Sequence, residues 1–291
     1  MGFSSIIKTT DSIPSEEGMP IHYDFYEPAV NDRNVLPVIL FLPGFKGFKD
    51  WGPFPDACEE LCRSGFIVIA INFSHNGVSN SEGDFDRLDL FEKETLSRDL
   101  ADVGRIIEAI KNKEIISDKV IADTDRMGIL GHSRGGHTAI AATAEYSEIQ
   151  CLVTWSAVAD YNARWTKQMI DDWNKKGYTE ITNNRTGQQM KIGKVVYDDT
   201  IENEERLIAI KRVKEIYLPS LFIAGKGDEA VPFKDTELLY RSCASQDKEI
   251  RLIENAGHTF NTAHPFEEEA FPHAFAEVLD HTMGWFLEYL E

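Results

Sequence analysis

Ser133 stands in the pentapeptide Gly131-His132-Ser133-Arg134-Gly135, behind the apolar run Arg126-Met127-Gly128-Ile129-Leu130 and ahead of a small-residue stretch, 137–144, that reads as a helix. A serine on so sharp a strand-to-helix turn is placed as a nucleophile. The residues two before and two after it cannot carry bulk, which is why glycine occupies both positions. The helix that starts directly behind it presents unpaired backbone N–H groups and a positive dipole end to an oxyanion formed there. Gly-x-Ser-x-Gly occurs by chance as well, and the strand-before, helix-after setting is what gives it chemical meaning. Gly136 lets the new helix press closely on the sheet.

A serine hydroxyl is a poor nucleophile at neutral pH, so it needs a base to take its proton and an acid to orient that base. Asp228, in Ala224-Gly-Lys-Gly-Asp-Glu-Ala-Val-Pro232, follows an apolar strand and falls in a loop at the carboxyl end of the sheet, where sites of open α/β folds collect. It is the expected acid, Glu229 the fallback, and a turn or helix cap its plain structural use. His258, in Asn255-Ala256-Gly257-His258-Thr259-Phe260, is the expected base and completes the chain order Ser, Asp, His. His264 and His273 stand beside Pro265 and Pro272 and read as the lead into the last helix. His132 is directed away from the serine's own face and is counted with the substrate contacts. The oxyanion donors are expected to be the backbone N–H groups of Phe45, in Leu42-Pro43-Gly44-Phe45-Lys46-Gly47, and Arg134. Each such donor is typically worth about 3 kcal/mol in a transition state.

The elements that must position these groups alternate between short β-branched runs and longer amphipathic segments, which predicts a largely parallel sheet with helices on both faces. Residues 6–10 and 21–26 are expected to pair as an antiparallel edge. The near-continuous apolar runs 35–42 and 66–72 suit central strands covered on both faces. Helices are expected over 55–64, closed by Gly65, over 96–110 and over 272–290. Further strands fall at 149–154, 217–224 and 249–253. The interval 155–215 breaks the βα rhythm, with a hairpin, 178–182 against 189–192, around Asn183-Asn-Arg-Thr-Gly187. The expected organisation is a core of 1–154 and 216–291 carrying 155–215 as a lid.

At 291 residues the chain suits one α/β domain with an insertion, and 42% hydrophobic with 27% charged residues is ordinary for a protein with a sizeable core. Its 30 basic against 49 acidic residues, net −19, disfavour nucleic acid and anionic lipid as partners. Four scattered cysteines argue against a disulfide framework and for a reduced compartment, so a cytoplasmic location is the expectation. Cys58 and Cys62 stand one helical turn apart, yet no neighbouring ligand completes a metal set, and buried packing is the expected use. The first residues lack the pattern of a signal peptide, and no apolar run is long enough to span a bilayer.

In order, Gly131-His-Ser-Arg-Gly135, Gly225-x-x-Asp228-x-x-Val-Pro232 and Gly257-His258 match the nucleophile, acid and base motifs of the α/β-hydrolases, and the chain resembles that superfamily over nearly its whole length. Within it the chain looks closest to the dienelactone-hydrolase-like and cinnamoyl (feruloyl) esterase group, which also resembles the catalytic domain of prolyl oligopeptidases. The resemblance implies an eight-stranded, mostly parallel sheet and a serine carboxylic ester hydrolase working through Ser133, His258 and Asp228 and an acyl-enzyme, without metal or organic cofactor. Pro43 departs from the histidine-glycine turn usual in the oxyanion loop. Cinnamoyl esterases carry a small lid at the place of 155–215, and Trp155, Tyr161, Trp165 and Trp173 are expected to sandwich a small or aromatic acyl group such as a hydroxycinnamate, or else to pack the insertion onto the core. In Asn72-Phe-Ser-His-Asn-Gly-Val-Ser79, Gly77 and Ser79 read as turn-forming and His75 as lining the pocket. The expected partner is a small-molecule ester, with a homodimer kept open. The rivals are a serine peptidase of prolyl-oligopeptidase type, disfavoured by the short stretch before the first central strand, and a non-catalytic ligand-binding protein on the same fold.

Overall fold

The computed structural model describes residues 5–29, 34–79 and 85–291. Its main sheet has eight strands in the order β1-β2-β4-β3-β5-β6-β9-β10. They are β1 (Ile6–Pro14), β2 (Pro20–Pro28), β3 (Asn34–Leu42), β4 (Ile67–Asn72), β5 (Val120–His132), β6 (Ile149–Trp155), β9 (Ser220–Gly225) and β10 (Lys248–Ile253). β1 pairs antiparallel with β2, and β2 antiparallel with β4. From β4 to β10 every pairing is parallel. This is the α/β-hydrolase architecture.

The apolar runs explain the layering. Every residue of β4 and the last six of β3 are buried, as strands with helices on both faces require. One face carries the helices Leu96–Lys111 and Arg134–Glu145, packed on Val38, Leu40, Ile67, Ile69 and Ile129. The other carries Phe54–Arg63 and His273–Leu290, packed on Ile39, Phe41, Val68, Leu130 and Val153. Cys58 and Cys62 lie in this second layer, both buried. After the helix Phe54–Arg63, Gly65 takes the left-handed region at φ 117°, the turn that a glycine there permits.

Between β6 and β9 the chain leaves the sheet and builds the insertion from the helix Lys167–Lys176, the antiparallel hairpin β7 (Tyr178–Thr182) and β8 (Gln189–Gly193), and the helix Lys194–Glu202. Buried Trp173 centres it, its indole N–H donating to the Ile192 carbonyl at 2.8 Å. Its ring stacks on Tyr197 at 5.0 Å and meets Trp165 edge-on at 5.2 Å. The Gly193 N–H donates to the Glu92 carbonyl at 2.8 Å, tying the base of the hairpin to the core. Trp155 belongs to the sheet rather than to the insertion. It is the last residue of β6, and its side chain is buried among Phe41, Phe260 and Phe275.

Candidate active site

Ser133 sits between β5 and the helix Arg134–Glu145 at φ 57°, ψ −116°, a conformation that L-residues rarely take. The flanking glycines are required by space. A Cβ on Gly131 would lie 2.2 Å from the Gly135 carbonyl oxygen, and one on Gly135 2.3 Å from the Leu42 oxygen and 2.4 Å from that of Pro43. The loop after β3 therefore lies directly on the elbow. Gly44 joins this contact, since a Cβ there would stand 3.0 Å from Ser133 Cβ. The Ser133 N–H donates to the Trp155 carbonyl at 2.8 Å, pinning the elbow to β6.

The loop after β9 carries Asp228. Its Oδ1 accepts from the N–H groups of Ala230 and Val231, at 2.9 and 2.8 Å, which leaves Oδ2 for His258 Nδ1 at 2.8 Å. The loop after β10 carries His258, whose Nε2 lies 3.0 Å from Ser133 Oγ. With Nδ1–H donating to Asp228, Nε2 is the acceptor of the serine proton. Burial pushes the Asp228 carboxyl up, but the contacts from His258 and the Val231 amide outweigh it and hold the acid below the ordinary carboxylate range. Its side chain is sealed from solvent, whereas the His258 ring is 25% exposed. Glu229 is exposed.

His132 braces this arrangement. Its Nε2–H donates to the His258 carbonyl oxygen at 3.0 Å, and the two rings lie 4.8 Å apart. Burial, with the His258 ring beside it, pushes its pKa down to about 3, so the ring is neutral. Asn261 clamps the same loop, accepting from the Gly257 N–H at 3.1 Å and donating to the Asn255 carbonyl at 3.0 Å.

The backbone N–H groups of Phe45 and Arg134 have no acceptor among the described residues, and both residues border the cavity that holds Ser133. The Arg134 side chain turns inward. Its Nε and Nη2 meet Asp99 Oδ2 at 2.9 and 2.8 Å, Nη2 also reaches the Glu94 carbonyl at 2.9 Å, and Nη1 lies 3.4 Å from Glu94 Oε2. The rings of Phe45 and Tyr161 flank the guanidinium at 5.6 and 5.5 Å. Burial pushes Glu94 up to about 8 against the pull of Arg134. Sequence reasoning overlooked Glu94 and Asp99. The signal was there in Asp99 and Asp102, which fall among the apolar residues on the buried face of an amphipathic helix.

Two cavities meet at Ser133 and His258. One, of about 380 Å³, has largely apolar walls from Phe91, Val158, Tyr161, Trp165, Ile192 and Val196, with Glu94 and Arg134 at its edge. The other, of about 410 Å³, is bordered by His132, Trp51, His264 and the hairpin turn at Asn183 to Arg185. Of the residues expected to contact substrate, the structure brings Tyr161 and Trp165 to the first cavity and His132 to the second.

The remaining three fall elsewhere: Trp173 is buried in the centre of the insertion and lines neither cavity, packing being the use it has. Trp155 lies away from both cavities, because its side chain packs in the layer of the helices Phe54–Arg63 and His273–Leu290, its indole N–H donating to Thr282 Oγ1 at 2.9 Å. His75 borders a separate cavity with Ser74, Arg98 and Asp102. The Ser74 N–H donates to Asp102 Oδ2 at 2.7 Å, and that bond ties the loop after β4 to the helix Leu96–Lys111, away from Ser133. Among the described residues no group of three or more His, Cys, Asp or Glu is arranged to hold a metal, and no helix is long and apolar enough to cross a membrane.

The model of the prolyl oligopeptidase family matches residues 59–290. A Bacillus subtilis (strain 168) protein named "Putative esterase YitV" is 23% identical over 235 residues, which cover 78% of this chain and 85% of that protein. Among solved structures, Est1E from Butyrivibrio proteoclasticus with bound ferulic acid superposes with a TM-score of 0.73 at 19% identity, over 96% of this chain and 98% of that one. A dienelactone hydrolase from Anabaena variabilis gives a TM-score of 0.60 at 17% identity, over 98% and 99%. At these identities the structural likenesses carry the fold.

Proposed function

The chain belongs to the prolyl oligopeptidase family of serine hydrolases, and from that premise we propose that it hydrolyses carboxylic esters through Ser133, His258 and Asp228, by way of an acyl-enzyme. One observation carries the reading: an unbroken line from hydroxyl to imidazole to buried carboxylate, at 3.0 and 2.8 Å, opening on an apolar cavity. Ser133 Oγ attacks the ester carbonyl carbon while His258 Nε2 takes its proton, and Asp228 stabilises the imidazolium. The N–H groups of Phe45 and Arg134 receive the negative oxygen of the tetrahedral intermediate. As that intermediate collapses, the carbon–oxygen bond to the alcohol breaks and His258 returns the proton to the departing oxygen. Water, deprotonated by the same imidazole, then releases the acid and restores the serine.

The acyl group occupies the 380 Å³ cavity, where Tyr161 and Trp165 offer faces to a small or aromatic acyl chain. Ferulic acid bound to the similar Est1E fold supports an aromatic acyl group such as a hydroxycinnamate. The insertion serves as the cover of this pocket, supported by Trp165, Ile192 and Val196 in its wall.

Family membership favours one second reading, a peptidase in which the same groups cleave a proline-linked amide. Turnover of p-nitrophenyl and hydroxycinnamoyl esters, measured beside proline-linked amides, separates the two. A fluorophosphonate that labels wild type but not Ser133→Ala is the expected result. Absence of labelling in folded wild-type protein overturns the enzymatic reading and favours a ligand-binding role.

A further inference from the structure

The second cavity at the nucleophile carries charge that the reaction above does not use. Lys46 and Arg185 border it, together with His264, Ser133 and His258. Lys46 follows Phe45 directly and is held at φ 57°, a left-handed conformation that costs a lysine energy and fixes where its side chain starts. Half-buried, it also touches the rim of the acyl cavity.

Burial depresses its pKa from 10.5, and no carboxylate among the described residues offsets that cost. Six other lysines, Lys8, Lys49, Lys111, Lys194, Lys211 and Lys226, each sit against an aspartate or glutamate. In a protein with 49 acidic and 30 basic residues, a partly desolvated ammonium without an acid beside the reacting serine is a vacancy for an external anion.

The surroundings agree. The hairpin turn brings the Arg185 guanidinium over the Phe48 ring at 5.6 Å, on the same groove. His264 Nδ1 accepts the Gly52 N–H at 2.9 Å, which makes Nε2 the protonated nitrogen and a donor. Among the described residues no aspartate or glutamate lines this cavity.

We propose that this groove receives the alcohol half of the ester and selects alcohols bearing an anionic group, a carboxylate in the simplest case, with Lys46 as the specificity-determining cation. The inference rests on the ester-hydrolase reading and adds to it the charge of the leaving group. Three esters test it: the butanoate of 3-hydroxybenzoate, the butanoate of methyl 3-hydroxybenzoate, and the succinate half-ester of methyl 3-hydroxybenzoate, which moves the carboxylate to the acyl side.

Wild type is expected to prefer the first over the second by about tenfold in kcat/KM, mainly through KM, the size of one charge-assisted hydrogen bond. That ratio falls to about one in Lys46→Gln and is retained in Lys46→Arg. It also falls with added salt in wild type, a readout independent of how well any variant folds. A wild-type ratio of one or less, a ratio insensitive to Lys46→Gln, or a preference for the succinate half-ester overturns the inference while leaving the ester reading standing. No turnover of any of the three removes both.

Discussion

The ring of His132 donates to the backbone carbonyl of His258 at 3.0 Å, so the residue next to Ser133 in sequence holds the loop that carries the proposed base. A neutral donor suits this task. Pushed down to about 3, His132 keeps the same hydrogen bond throughout the range in which hydrolases are assayed.

Replacing His132 tests that brace. His132→Phe is expected to lower kcat by about tenfold with little change in KM, the loss of one buried hydrogen bond that positions a catalytic group. His132→Asn, whose amide can still donate, is expected to retain more. Steady-state kinetics on one ester, with thermal melts of both variants, checks it.

Asp228→Asn removes the charge proposed to stabilise the imidazolium and lets its amide select the wrong tautomer of His258. A fall in kcat of about three to four orders of magnitude is expected, with native circular dichroism. Activity within tenfold of wild type would assign the orienting role elsewhere.

The steric reading of the elbow is tested by Gly135→Ala. The new Cβ would sit 2.3 Å from one backbone oxygen and 2.4 Å from another, and backbone cannot step aside as a side-chain tip can. Loss of about 3 kcal/mol of stability or more, together with loss of ester turnover, is expected. Denaturant unfolding measures the first.

Stability should decline as pH rises from 4.5 to about 8, because Glu94, pushed up to about 8 from 4.5, keeps in the folded chain a proton that the unfolded chain gives up. The stabilisation is complete below pH 4.5 and gone above the folded pKa. Asp102, pushed up to about 7 by burial, adds a slope of the same sign. On the acid side His132 and His137, pushed down to about 3 and about 4, act oppositely and cost stability as pH falls below 6.5. Glu94→Gln is expected to flatten the alkaline slope in melts between pH 5 and 8, and an unchanged slope would locate the titration elsewhere.

Much of the architecture is legible in the chain. The alternation of apolar runs with amphipathic segments foretells the parallel sheet, and 178–182 against 189–192 foretells the hairpin, observed as β7 and β8. The motifs around Ser133, Asp228 and His258 contain the three side chains that the structure brings within hydrogen-bond distance. Strand ends are harder to read. Ending β6 one residue early moved Trp155 from the sheet into the insertion, and with it from core packing to substrate contact. His75 was misread because the bond that orients its loop comes from Asp102, 28 positions beyond Ser74, a pairing that no local pattern announces. Glu94 escaped for the same reason, since its partner Arg134 lies forty residues away.

Trp155 makes one more demand on the molecule. Its carbonyl receives the Ser133 N–H, while its indole reaches Thr282 in the helix His273–Leu290. One tryptophan thus links the backbone of the Ser133 turn to the helix His273–Leu290 through two hydrogen bonds. Changes to that helix are therefore expected to be felt at the Ser133 turn.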